Sequence, residues 1–179
     1  MKNGGRASSG TTHRIGIIAD THGLLRDSAR EALRGVELIL HAGDVGTKDI
    51  LERLGRIAPV ESVRGNVDTE PGVNDLPPTV LLRVGEVAFF MIHNLADLDP
   101  ATQGIAVVVS GHSHKAGIAK RNGVLFVNPG SAGPRRFALP ATLAIAEVRG
   151  ASVEATIVRL DERTKTGGGT VARNSARHV

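Results

Sequence analysis

Residues 105–114 read IAVVVSGHSH, and the fold can be worked out from this stretch. Five apolar residues in a row, with no polar alternation, fit a strand covered on both faces. The run stops at Ser110-Gly111, and two imidazoles follow at i and i+2, His112 and His114. On a chain leaving a strand end, that spacing can aim both rings at neighbouring points of one cleft. Neutral imidazole is the commonest protein ligand for a transition metal. One such pair decides little by itself; what matters is whether other apolar runs end the same way.

They do. Residues 15–19 are apolar and end at Asp20-Thr21-His22-Gly23; residues 38–40 end at His41-Ala42-Gly43-Asp44; residues 60–63 end at Arg64-Gly65-Asn66-Val67-Asp68. Between them the spacing predicts two helices, one capped by Asp27 or Ser28 and stopped by Gly35, the other capped by Thr47 with Ile50, Leu51 and Leu54 as its apolar stripe. Strand, helix, strand, helix, strand argues a parallel sheet. After a Pro-rich loop the pattern turns to hairpins. Residues 80–84 and 87–92 flank Gly85-Glu86, residues 118–120 and 124–127 flank Asn122-Gly123, and residues 143–148 and 153–160 flank Gly150. The second of these strands ends at His93-Asn94, and residues 95–104 have room for a short helix.

Composition narrows the class. The 179 residues include four Phe and no Trp, Tyr or Cys, so the core is aliphatic and neither a disulfide scaffold nor a thiolate metal site is available. The sequence pI near 10.1 suggests a nucleic-acid partner, but the charge is unevenly spread. Six of the 22 basic residues lie in 1–13 and 163–179, which hold no acid, leaving 16 against 18 acidic ones elsewhere. The expected organisation is a flexible segment 1–13, one domain over 14–162 and a disordered basic tail 163–179. No apolar run reaches membrane-spanning length, and a cytoplasmic location without a membrane partner is expected.

Asp20 with His22, Asp44, Asn66, His93, and His112 with His114 follow five separate apolar runs. In open α/β sheets, ligands bind outside the carboxyl ends of the strands. Seven oxygen and nitrogen donors gathered there suit two divalent cations, and a set without thiolate suits manganese, iron, zinc, nickel or magnesium.

The order D-x-H, GD, GN, H, GHxH, together with Asp20-Thr21-His22-Gly23 and Asn128-Pro129-Gly130-Ser131, resembles the calcineurin-like metallophosphoesterase superfamily and its small bacterial and archaeal phosphodiesterase branch. The resemblance spans about residues 14–160. It implies a four-layer αββα sandwich, with two facing mixed sheets and helices outside. It also implies a binuclear metal-dependent phosphodiesterase, manganese foremost, in which a water or hydroxide between the ions attacks phosphorus in line. Position by position, Asp20, His22 and His114 would hold one ion, Asn66, His93 and His112 the other, and Asp44 would bridge them. Asp44, Asn66 and His93 would also serve catalysis directly.

Two departures from the family pattern stand out. His93 is followed by Asn94 where the family has Gly, a bulkier neighbour that would narrow the cleft. Val67 stands where many members carry the histidine that protonates the leaving group. Good leaving groups should then be favoured, unless Asp68 or a bound water supplies the proton. Elsewhere, His41 reads as a buried packing histidine, and His13 and His178 as solvated. Asn128 to Ser131 reads either as a turn or as a set of N–H donors for an anion, and Arg135 and Arg136 either as surface charge or as phosphate contacts. The alternative function is a catalytically weak metal-binding scaffold of the same fold. Nucleic acid enters only as substrate or through the basic tails, and self-association stays open.

Overall fold

A computed structural model describes residues 11–99, 104–135 and 138–160. Ten strands form two mixed sheets of five. In the first, β1 (Thr12–Ile18), β2 (Leu38–His41) and β3 (Val60–Ser62) run parallel, joined by α1 (Asp27–Ala32) and α2 (Lys48–Gly55). β9 (Thr142–Arg149) and β10 (Ser152–Arg159) extend it antiparallel on the other side of β1. The second sheet has the order β4-β5-β6-β8-β7, from β4 (Thr79–Val84), β5 (Val87–Ile92), β6 (Val107–Val109), β7 (Gly117–Arg121) and β8 (Val124–Asn128). Its three inner strands are parallel, and the hairpin strands β4 and β7 close its edges.

Alternation along the strands accounts for the layers. Ile15 and Ile17 of β1 join Leu40, Phe89, Met91, Val107, Val109 and Val127 in a core between the sheets. Ile18, Ile39 and Leu143 turn the other way and meet Ala29, Leu33, Ile50 and Leu54 of the helices. Gly16 belongs to this second face, where a side chain would collide with Leu33. Both faces of β1 are therefore covered, which is why its sequence shows no polar alternation. Among the described residues, helices cover only the first sheet; the second has the 3-10 turn Leu95–Asp97 after β5.

Strand positions follow the sequence reading closely, and the differences have local causes. β1 begins at Thr12, so Thr12 and His13, expected in a flexible lead-in, pair with Arg149 and Val148. The first helix is capped by the backbone of Arg26, with Asp27 already in its first turn, and Thr47 caps α2 without a side-chain hydrogen bond. The helix expected within 95–104 is a single 3-10 turn as far as the described residues go, with Asn94 accepting the Ala96 N–H at 3.1 Å. Asn122 and Gly123 have φ of 49° and 84°, the conformation a two-residue hairpin needs. No described helix is long and apolar enough to cross a membrane.

Candidate metal centre

The carboxyl ends of β1, β2, β3, β5 and β6 reach one rim of the sandwich, and the loops leaving them are tied to one another. The Asp20 N–H donates to Gly43 O at 3.0 Å, the His22 N–H to Asp44 O at 2.9 Å, and the Gly111 N–H to His93 O at 2.9 Å. All seven residues singled out in the sequence meet there.

Asp20, His22, Asp44 and His114 form one half. One ligand atom from each lies within 4.8 Å of the others. His22 Nε2 faces His114 Nε2 at 3.4 Å, and Asp20 Oδ1 is 3.4 Å from the same His114 nitrogen. Asn66, His93 and His112 form the other half, with His93 Nε2 and His112 Nδ1 each 3.0 Å from Asn66 Oδ1. The rings stand in two pairs, His22 with His114 and His93 with His112, with centroids 5.3 and 5.2 Å apart. Asp44 lies between the halves. Its Oδ2 is 3.8 Å from His22 Nε2 and its Oδ1 is 3.4 Å from His93 Nε2, so its two oxygens turn to different sides.

The backbone is strained where the donors are. Six described non-glycine residues have φ in the left-handed region, and five of them are Asp20 (53°), His22 (46°), Asp44 (54°), His112 (66°) and His114 (57°). Asp, Asn and His tolerate this conformation better than most, but each costs about 1–3 kcal/mol. Such a concentration of strain is characteristic of functional sites. The loops also approach too closely for side chains: a Cβ on Gly65 would strike the backbone N and carboxylate of Asp44, and one on Gly43 would lie 2.6 Å from His93 Nδ1.

Electrostatics fits the same picture. Burial works against the charge on Asp44, but the His93 ring, the Val67 N–H and the nearby imidazoles outweigh it and hold its carboxyl below the usual range. Burial likewise works against a charged His93, yet contact with Asp44 and a bond from Nδ1–H to Ala42 O (2.7 Å) leave its pKa raised. With Nδ1–H committed to that carbonyl, Nε2 is the atom turned toward Asp44 and Asn66. An imidazole oriented this way by a backbone carbonyl is the usual state of a metal-bound histidine. Opposed nitrogens and carboxylate oxygens, with no thiolate, form a donor set that accepts divalent cations.

Other residues noted in the sequence serve to hold this rim in place. Asp68 is buried, and its two oxygens accept the N–H groups of Gly46 (2.9 Å) and Gly65 (2.8 Å), so it ties the loops after β2 and β3 together. Fully buried His41 meets Thr21 Oγ1 at 2.9 Å, and that hydroxyl donates to Val45 O. The stretch from Asn128 to Ser131 braces the rim. The Asn128 amide donates to Gly111 O at 2.7 Å, the Gly130 N–H goes back to Asn128 Oδ1, and the Ser131 hydroxyl donates to Asp20 O. Sequence spacing could not show most of these contacts, because all but the Gly130–Asn128 and Gly65–Asp68 bonds join residues far apart in the chain. Arg135 is exposed beside His114 in a small depression. Arg136 and His178 lie outside the described residues. His13 is on the opposite end of β1, 2.8 Å from Glu37.

A cleft of about 780 Å³ opens on the His93 side, bounded by Arg64, Asn66, Asn74, His93 and His112. Asn94 lines it too, so the bulkier residue after His93 leaves a wide opening.

Comparison with known proteins agrees with this geometry. Residues 14–151 match the calcineurin-like phosphoesterase superfamily domain. A relative from Methanothermobacter thermautotrophicus, named "Probable metallophosphoesterase", is 35% identical over 161 residues, covering 81% of this chain and 91% of the relative. Among solved structures, vacuolar protein sorting 29 from Cryptosporidium parvum superposes with a TM-score of 0.67 at 21% identity, over 84% of this chain and 99% of that one. A structure described as a novel archaeal phosphodiesterase superposes with a TM-score of 0.66 at 22% identity, over 81% and 99%. With its two mixed five-stranded sheets and an Asp/His cluster at one rim, the chain belongs to the calcineurin-like phosphoesterase superfamily.

Proposed function

We propose that the protein is a phosphodiesterase working with two divalent metal ions, manganese foremost. The observation that carries this reading is Asp44, whose two carboxylate oxygens face two separate groups of donors. Asp20, His22 and His114 would hold one ion and Asn66, His93 and His112 the other, with Asp44 shared. When bound, such ions polarise phosphoryl oxygens, neutralise their charge and lower the pKa of water. The chain's part is to hold the donors in place. Ala42 O fixes the His93 ring, the Val67 N–H fixes Asp44 Oδ1 at 3.1 Å, and Asp68 fixes both loops. The cleft then admits an ester beside Asn66, His93 and His112.

A diester is favoured over a monoester because the cleft extends well beyond the space one phosphoryl group fills, leaving room for an arm. A cytoplasmic location and a small phosphoester substrate complete the reading. The alternative, a metal-binding scaffold of the same fold, is supported by the likeness to vacuolar protein sorting 29, which is a likeness of fold alone. Hydrolysis of bis(p-nitrophenyl) phosphate with and without manganese separates the two. The enzyme reading expects metal-dependent turnover that is nearly abolished in Asp44→Asn, together with reduced binding of both ions. An Asp44→Asn protein that keeps two metals and substantial turnover would refute the bridging role, and no turnover in the unmodified protein would favour the scaffold.

A further inference from the structure

A second cleft adjoins the first. It has a volume of about 330 Å³ and shares His112 and Asn94 with the larger one, so the two meet at the candidate metal centre. It runs from the turn after β6 along the outer face of β7 and β8.

The two clefts differ in chemistry. Arg64 of the first is accompanied by Asp68 and Asp97. The second is lined by two cations, Lys115 and Arg121, by the apolar Ile118 and Phe126, and by no carboxylate. Phe126 is there because of strand alternation. Its neighbours Leu125 and Val127 pack into the core between the sheets, which turns Phe126 to the opposite face. Arg121 is opposite Val124 in the β7–β8 hairpin, and its guanidinium carbon is 5.9 Å from the centre of the Phe126 ring. The cleft therefore holds the Arg121 guanidinium over the Phe126 ring as a cation–π pair, with Lys115 at the end nearer the metal centre, one residue past His114. An aromatic face stacks flat heterocycles, and guanidinium and ammonium groups bind phosphate through charge-assisted hydrogen bonds.

Building on the phosphodiesterase reading, we propose that this second cleft seats one ester arm of the substrate. The arm it fits is a nucleotide: a flat base stacked on the Arg121–Phe126 pair, and a further phosphate, beyond the scissile one, against Lys115 and the edge of the Arg121 guanidinium. The substrate class is then a short nucleotide diester with a terminal phosphate. Water adds across one P–O bond, leaving a free hydroxyl on one arm and a phosphomonoester on the other.

The test compares the dinucleotide ApA with its 5′-phosphorylated form pApA on the manganese-loaded full chain. The KM for pApA should be about tenfold or more below that for ApA. Arg121→Ala and Lys115→Ala should raise the KM for pApA and bring the two values together, while Phe126→Leu should raise KM for both dinucleotides. Equal KM values in the unmodified enzyme, or a preference that persists in both cation variants, would overturn the subsite. If bis(p-nitrophenyl) phosphate is hydrolysed and the dinucleotides are not discriminated, the subsite alone fails. If neither is hydrolysed, the phosphodiesterase reading falls and takes the subsite with it.

Discussion

At the scale of single residues, Val67 tests how the leaving group departs. Its side chain is 42% exposed and carries no proton, while its N–H is held by Asp44. The nearby carboxylate of Asp68 accepts two backbone N–H groups, so it is occupied as an acceptor and badly placed to donate. Rates should therefore depend steeply on leaving-group pKa, with aryl esters cut faster than alkyl esters, dinucleotides included, whose turnover then rests on binding energy from the second cleft. Val67→His should flatten that slope and raise turnover of poor leaving groups by roughly 10²–10⁴-fold if the ring reaches the scissile oxygen. A series of substituted phenyl phosphodiesters on both proteins measures it; a shallow slope in the unmodified enzyme would mean that another group already donates the proton. His41 gives a different kind of test. Burial lowers its pKa from 6.5 to about 4, against the pull of Asp68. The unfolded chain thus takes up this proton near pH 6.5 and the folded chain only near 4. The stability contributed is whole above 6.5 and is lost as pH falls from there to about 4, amounting to about 3 kcal/mol. Urea denaturation between pH 7 and 4.5 should show this fall, and His41→Gln should remove that share of it.

At the scale of elements, the strands were legible and the ties between them were not. Buried strands such as residues 15–19 and 105–109 announce themselves as apolar runs, and Gly85-Glu86 and Asn122-Gly123 mark their hairpins by turn chemistry. The gathering of polar residues at one rim was legible as well, because Asp20, Asp44, Asn66, His93 and His112 each stand within a few residues of a strand end. Helix caps were less so: Arg26 makes no capping side-chain bond, and its guanidinium donates instead to Gly133 O, far away in the chain. The role of Asp68 lay beyond sequence reasoning, since its carboxylate joins Gly46 to Gly65 across two loops that only the parallel pairing of β2 and β3 makes neighbours. Removing it leaves two N–H groups without their acceptor, each costing roughly 1–3 kcal/mol where buried. Asp68→Ala should lower the melting temperature and weaken metal binding together, measured by calorimetry with and without manganese. A variant that loses activity but keeps the stability and metal affinity of the unmodified protein would show that Asp68 acts on the substrate instead.

At the scale of the whole molecule, the question is where the folded unit stops and what the basic pI belongs to. A boundary at residue 14 cuts through β1, discarding the pairs of Thr12 with Arg149 and His13 with Val148 and the 2.8 Å contact of His13 with Glu37. A chain spanning 11–162 keeps them. It also sheds the six cations of 1–10 and 163–179, leaving 16 basic against 18 acidic residues. Such a chain should unfold at the same urea concentration as the full one, whereas one spanning 14–162 should be weaker by about 1 kcal/mol, the scale of a few exposed pairs. Its hydrolysis of a small diester should match the full chain, because every donor at the rim comes from within 20–114. Binding to duplex DNA should fall away, since non-specific affinity rests on cations that displace counterions and the shortened chain carries a small negative charge. Gel shift at two salt concentrations on both chains measures this. If the shortened chain still binds DNA with a steep salt dependence, the responsible cations lie in the folded body, and Lys115 and Arg121 in the second cleft are the first to replace.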